Sequence, residues 1–585
     1  MKTSYLFIYF LMLCFLACTP KPDKPNGLLL VNHLGYDTNA HKKIIFQTTS
    51  DFEPKSFEVT DKRGQVIYEG NFKDGETTDK WHTGKAFVGY FTDVKAAGTY
   101  TVHIKETKVQ TKPFEIKDQL HASATLPLLL EGLQSIHPAK KYEDWDSAIS
   151  FFGERNDTVD LHGGWYDASG DYSKYLSHLC YTNFMAPQQT PMVVYNLYES
   201  ALRMKQNYPE LAEKYIREAA YGADFLVRIQ DTEGYFYTTV FDTWSKDPTK
   251  REVCAYETQH GTRTNEYQAA FREGAGITIA ALARLGADNI SGEYDAKTYL
   301  ETAEKGFAHL IKNNPKYCDD GKENIIDDYC ALMAATELFN ATQKPEYLAH
   351  ARKRAENLAN RITKNNKYTG WFLADDGTRP YFHAAEAGYP LIALSRFLDA
   401  EENKTLRQKI IAAIQQHVDF TLSITSEVTN PFGYPRQYVK VVDEEPRGSF
   451  FIPHNNESGY WYQGENARLA SLAAAFKQSY TYMKDEQKKP AMEFYQNQLN
   501  WILGLNPFNI SMLDGIGHNN PQYIDPHNWN YKGGIANGIT AGVVNESDIA
   551  FLPEPQKDDP AQKWRWPEQW IPHAGWFMLA VASGI

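Results

Sequence analysis

The hydrophobic pattern of this chain changes period once, near Asp118, and that change constrains the fold more than any other feature. Before it, from Leu28 to about Lys117, short β-rich runs such as KKIIFQTT, KAFVGYFTDV and GTYTVHI alternate with turn signals, and Lys62-Arg63-Gly64 between FEVT and VIYEG reads as a hairpin. Runs of this length and spacing predict a β-sandwich. After it, windows such as PELAEKYIREAAYGADFLVRIQ and DDYCALMAATELF carry Ala, Leu and charged residues at helical spacing. Roughly twelve such windows can be counted, near 119–134, 190–206, 210–230, 266–285, 296–313, 324–341, 345–363, 383–399, 404–424, 459–480, 489–503 and 571–583. Twelve helices in hairpin pairs would close into an (α/α)6 barrel. The expected architecture is therefore mainly α, with a small all-β sandwich over 28–118 and a barrel over 119–585, and a chain of this length is too long for a single core.

The first eighteen residues read as a signal peptide: Lys2, an apolar run from Tyr5 to Ala17, then Cys18. The run is too short to cross a bilayer comfortably. Leu16 and Ala17 before Cys18 resemble a bacterial lipobox, which implies a lipid on Cys18 and a tether over 19–27. On that reading the protein is an exported bacterial lipoprotein of the periplasm, outer membrane or cell surface, and touches membrane only through its anchor. Cys180, Cys254, Cys318 and Cys330 follow, none in metal-ligand spacing. Export permits a disulfide among them, and buried thiols fit as well. Sixty Lys and Arg against 73 Asp and Glu, with no basic run, give no footprint for a nucleic acid backbone.

The chemistry is concentrated in carboxylates beside aromatic residues. In GGWYDASGDY, Asp167 and Asp171 stand four residues apart. A helical turn there would put both on one face, where each raises the other's pKa. An Asp-capped turn or a calcium ligand is the alternative. In WRWPEQWIPHAGW, Glu568 lies among Trp564, Trp566 and Trp570, and an apolar wall raises a carboxyl towards the pKa of a general acid. A helix N-terminal Glu is the plainer reading. Two distant carboxyls of this kind are what glycosidic hydrolysis requires. Trp165, Trp461 and Tyr462 could stack on sugar rings, and core packing explains them as well. His454, Glu457 and Glu465 lie in FIPHNNESGYWYQGEN, a loop expected at a rim, and Arg468 follows in the next helix. Other loops, FDTWSKDP and NPQYIDPHNWN among them, look too elaborate for connectors.

The string GGWYDASGDYSKY resembles the GGWHDAGDYGKY signature of glycoside hydrolase family 9, the cellulase family built on an (α/α)6 barrel. VNHLGYD resembles the start of the immunoglobulin-like domain that often precedes that barrel, WILGLNPFNISMLDGIG a late block, and RWPEQWIPHAGW falls where the acid-bearing block belongs. The resemblance implies an inverting β-glycoside hydrolase acting on a β-1,4-linked glucan or related oligosaccharide. It implies Asp171 as the base, Asp167 as the residue that helps hold the water, Glu568 as the acid and His527 as a grip on the sugar. Three departures stand out. DASGD has one residue more than DAGD, so either acid could be the base; Asn528 replaces a second His; and Pro567 precedes Glu568. The variants point towards exo-acting members, including β-glucosaminidases, for which Glu465 is the candidate partner of a substrate ammonium. A non-catalytic glycan-binding lipoprotein is the alternative from another class. No cofactor and no catalytic metal is required, although a structural calcium is compatible with the acidic segment.

Overall fold

A computed structural model describes residues 26–105, 107–178, 184–256, 261–457, 463–523 and 528–585. The signal peptide and lipid-bearing cysteine expected at the start fall outside the described residues, as does Cys180.

Nine strands form two facing sheets. β1 (Gly27–Leu30), β3 (Lys43–Thr48), β7 (Lys85–Tyr90) and β6 (Glu76–Thr77) make one in the order β1-β3-β7-β6. β2 (Gly35–Asp37), β9 (Phe114–Lys117), β8 (Gly98–Ile104), β4 (Ser56–Asp61) and β5 (Val66–Asn71) make the other in the order β2-β9-β8-β4-β5. Alternate residues of the strands meet in one core that includes Phe46, Phe57, Val59, Val102 and Phe114. The β4–β5 hairpin turns where the sequence reading placed it. Gly64 takes φ 80° there, and its amide donates to the Asp61 carbonyl at 2.9 Å.

Thirteen helices follow among the described residues: α1 (Leu120–Ser135), α2 (Lys140–Asp146), α3 (Thr190–Met204), α4 (Pro209–Arg228), α5 (Ala275–Ala287), α6 (Ala296–Tyr317), α7 (Ile325–Thr342), α8 (Pro345–Asn360), α9 (Tyr389–Ala400), α10 (Lys404–Ser426), α11 (Asn466–Gln478), α12 (Asp485–Ile502) and α13 (Ile571–Ala582). Helices α3, α5, α7, α9, α11 and α13 pack in a closed ring, each against the next, and α4, α6, α8, α10, α12 and α1 each back one of them. This is the (α/α)6 barrel. Its two layers are visible in composition: all twelve residues of α13 (IPHAGWFMLAVA) are buried, whereas α8 buries a single stripe of Tyr347, Ala351, Ala355, Leu358 and Ala359. The short α2 was not expected. Its seven residues carry too little periodicity to register.

The sandwich docks on the barrel through Trp81, which sits among Phe432, Tyr434, Phe450, Phe451 and Trp501. Beside it the Lys43 ammonium donates to the carbonyls of Pro431 and Phe432 at 3.0 Å each.

Candidate active site

The loops that lead into the N-termini of the inner helices carry the site. Gln189 immediately precedes α3 and Trp570 immediately precedes α13. Both give a donor to Asp167: Trp570 Nε1 at 3.0 Å to Oδ2 and 3.2 Å to Oδ1, and Gln189 Nε2 to Oδ1.

Residues 167–171 do not turn helically. Ala168 and Asp171 exchange both amide-to-carbonyl bonds at 3.2 Å, which makes a two-residue hairpin. It is held against the segment that carries Glu568. Ser169 N donates to the Gln569 carbonyl at 2.9 Å, Gln569 N donates to Ser169 Oγ at 2.9 Å, and Ile571 N donates to the Asp167 carbonyl at 3.0 Å. Pairing across the barrel thus replaces the helical bonds that the spacing suggested, and it lays the Asp171 segment against the Glu568 segment. Gly170 faces Asn528 and Glu568. A Cβ there would come within 2.7 Å of Asn528 Oδ1 and 3.6 Å of Glu568 Oε1.

Asp167, Asp171 and Glu568 line one cavity of about 600 Å³, within the range of small-ligand pockets. Their surroundings differ. Asp171 receives Tyr175 Oη at 2.7 Å and Trp244 Nε1 at 3.1 Å on Oδ2, and Ser173 N at 2.9 Å on Oδ1, an arrangement that suits an acceptor-only carboxylate. Asp167 lies deeper, and burial, then the charge of Asp171, push its carboxyl well above the usual range. His178 Nε2 also donates to Asp167 Oδ2 at 3.1 Å, while Tyr256 Oη bonds its Nδ1. Burial pushes His178 down to about 4, so it is neutral near pH 7 and one ring nitrogen donates while the other accepts.

Glu568 is half-buried, and burial, reinforced by the charges of Asp171 and Asp167, pushes it up to about 8 against the pull of Asn537 and Lys246. Asn537 Nδ2 donates to Glu568 Oε2 at 3.2 Å, and Asn537 is itself oriented by His573 Nε2, which donates to its Oδ1 at 2.9 Å. With Oε2 accepting, the carboxyl proton belongs on Oε1, the oxygen nearest Gly170.

The remaining expected residues divide sharply. Trp165 is not a sugar platform. Its ring is fully buried against Val194 and Gly222, and its Nε1 donates to Glu218 at 2.8 Å. Glu465 does not face the cavity either. It is 3% exposed, with Oε2 on Arg468 Nε at 2.5 Å and Oε1 on Ile452 N at 2.9 Å, so no substrate ammonium can reach it. Arg468 is its structural partner. Trp566 is core, donating to Thr540 Oγ1 at 3.0 Å. His454, whose amide donates to Glu546 at 2.9 Å, lies outside the cavity lining, and Glu457 is paired with Arg379 at 2.7 Å. Trp461, Tyr462 and His527 fall outside the described residues, while Asn528 lines the cavity and accepts from Lys246 Nζ. Among the described residues no group of three or more His, Cys, Asp or Glu is placed to hold a metal ion. Cys254, Cys318 and Cys330 are buried thiols.

Sequence reasoning missed Trp244, Lys246, His178 and Asn537. The loop FDTWSKDP, too elaborate for a connector, is unusual in its backbone as well: Thr243, Trp244 and Lys246 adopt φ of 55°, 55° and 59°, a region that bulky and β-branched residues avoid. That strain aims the Trp244 indole at Asp171.

Comparison with known proteins agrees with this architecture. Residues 130–546 match the model of glycosyl hydrolase family 9, and residues 25–109 match that of the cellulase N-terminal ig-like domain. A cellodextrinase of Butyrivibrio fibrisolvens is 22% identical over 552 residues, covering 88% of this chain and 91% of its own. A Bacteroides ovatus GH9 structure superposes with TM-score 0.64 at 16% identity, covering 95% of this chain and 98% of that one. A metagenome-derived glycoside hydrolase family 9 endoglucanase gives 0.65 at 15%, with the same coverage. At such identities the structures share the fold.

Proposed function

The chain belongs to glycosyl hydrolase family 9 and is a glycoside hydrolase of the cellulase type; from that membership and the cavity geometry we propose that it inverts the anomeric centre as it cleaves short β-1,4-linked glucan chains. The observation that carries the reading is the unequal treatment of two carboxyls lining one cavity. Burial pushes Glu568 up to about 8 and Asn537 occupies its Oε2, which leaves Oε1 for the proton, while three donors converge on Asp171. Glu568 Oε1 then protonates the leaving oxygen. Asp171 takes the proton of a water that attacks the anomeric carbon from the other side, and Asp167 helps to hold that water. The name of the Butyrivibrio relative supports oligosaccharides as substrates. The glucosaminidase variant loses its support with Glu465, and a purely binding role would not need an acid and a base placed in one cavity.

The leader sequence supports an exported lipoprotein anchored through Cys18 at the periplasmic face, outer membrane or cell surface; labelling with a radioactive fatty acid, abolished by Cys18→Ala, tests this. The mechanism is tested by proton NMR during hydrolysis of cello-oligosaccharides. The α-anomer is expected first, and early β-anomer would overturn inversion.

A further inference from the structure

Beneath the catalytic hairpin lies a charged cluster that the chemistry above does not use. Asp146, the last residue of α2, Lys174 and Arg251 all have side chains with no exposure to solvent. Arg251 holds Asp146 with both arms of its fork, Nε to Oδ1 and Nη2 to Oδ2, each at 2.8 Å. Lys174 Nζ reaches Asp146 Oδ2 at 2.7 Å and the Leu161 carbonyl at 3.0 Å. The third Arg251 bond is the distinctive one: Nη1 donates at 2.6 Å to the carbonyl of Tyr172, the residue after Asp171. The remaining charged and titratable neighbours are Asp242, Tyr142 and Tyr166 around Arg251, and Glu143 near Lys174. Around Asp171 stand Tyr175, Asp167, His178, Asp242 and Glu568.

We propose that Arg251 is a positioning residue for the catalytic base: it fixes the peptide that follows Asp171. Buried ion clusters gain little net stability over apolar residues of similar volume, because desolvation offsets their attraction. An apolar residue could therefore fill this space, but it could not hold the Tyr172 carbonyl. The Asp171 carboxylate is on the segment whose next carbonyl Arg251 grips. Lys cannot substitute, since an ammonium lacks the planar fork that spans a carboxylate and a carbonyl at once.

The proposal rests on Asp171 being the base, and the experiment separates the two claims. Arg251→Lys, Arg251→Met and Asp171→Asn are made in the full chain and assayed on an aryl β-cellobioside from pH 4 to 9. Arg251→Lys is expected to lower kcat by about 10- to 100-fold, the scale of a misplaced catalytic group, with KM nearly unchanged and the acid limb of kcat/KM unmoved. Arg251→Met should show the same loss, since it too releases the Tyr172 carbonyl. Wild-type kcat in both Arg251 variants, with Asp171→Asn inactive, would overturn the proposal and leave the base assignment standing. An active Asp171→Asn would overturn both. Should Arg251→Met fail to fold, Arg251→Lys decides alone: a lowered melting temperature with wild-type kcat marks a merely structural role.

Discussion

Glu568 shows how one carboxyl can be read in two experiments. Its pKa is raised to about 8, so burial disfavours the anion, and the fold loses stability from this group as pH rises from the unfolded value near 4.3 through the folded one. Glu568→Gln, which cannot ionise, should therefore melt higher than the wild type at pH 9 and about the same at pH 4. The same substitution removes the proposed acid. Hydrolysis of an aryl glycoside with a poor leaving group should fall by roughly 10²–10⁴, and far less with a nitrophenolate. Equal losses on the two substrates would contradict the assignment. Asn537→Ala removes the amide that pulls this pKa down, so the alkaline limb of kcat should move to higher pH. At this scale the sequence was legible where chemistry demands a residue type, and silent where geometry chooses among equals. Trp165, beside the two acids in sequence, is core, whereas Trp244, 73 residues beyond Asp171, holds that carboxylate.

The elements were more legible than the site they carry. Long helices announce themselves through period, and twelve of the thirteen were in place; the miss was α2, which is short and turns out to present Asp146 to Arg251. Loops have no period, so the strained segment 243–246 could be noticed only by composition. Its strain yields a prediction. Left-handed backbone at a β-branched residue costs about 1–3 kcal/mol, and glycine relieves it for an entropic cost of about 0.5–1 kcal/mol. Thr243→Gly should therefore raise the melting temperature while lowering kcat, as the loop that aims Trp244 at Asp171 loosens. A variant less stable than the wild type would show that the loop is not strained.

On the scale of the molecule, the sandwich is attached by an aromatic anchor and not merely tethered. Trp81 is 3% exposed among five barrel aromatics, so Trp81→Ala should destabilise the protein by about 3–5 kcal/mol. Calorimetry would detect it as a sandwich transition separating from that of the barrel. The alternation of strand period and helix period made the two-part plan readable before any coordinates, but not the closure of the ring. Closure joins α13 to α3 and sets Ala168 beside Trp570, some 400 positions apart along the chain. Such a contact is highly non-local, and pairings of this kind slow folding. The proposed base and acid are thus brought together by the same contact that seals the barrel, so a chain still emerging from the ribosome carries both groups and not the site they form. Activity in this architecture is a certificate of completed folding, issued only when α13 docks between α11 and α3.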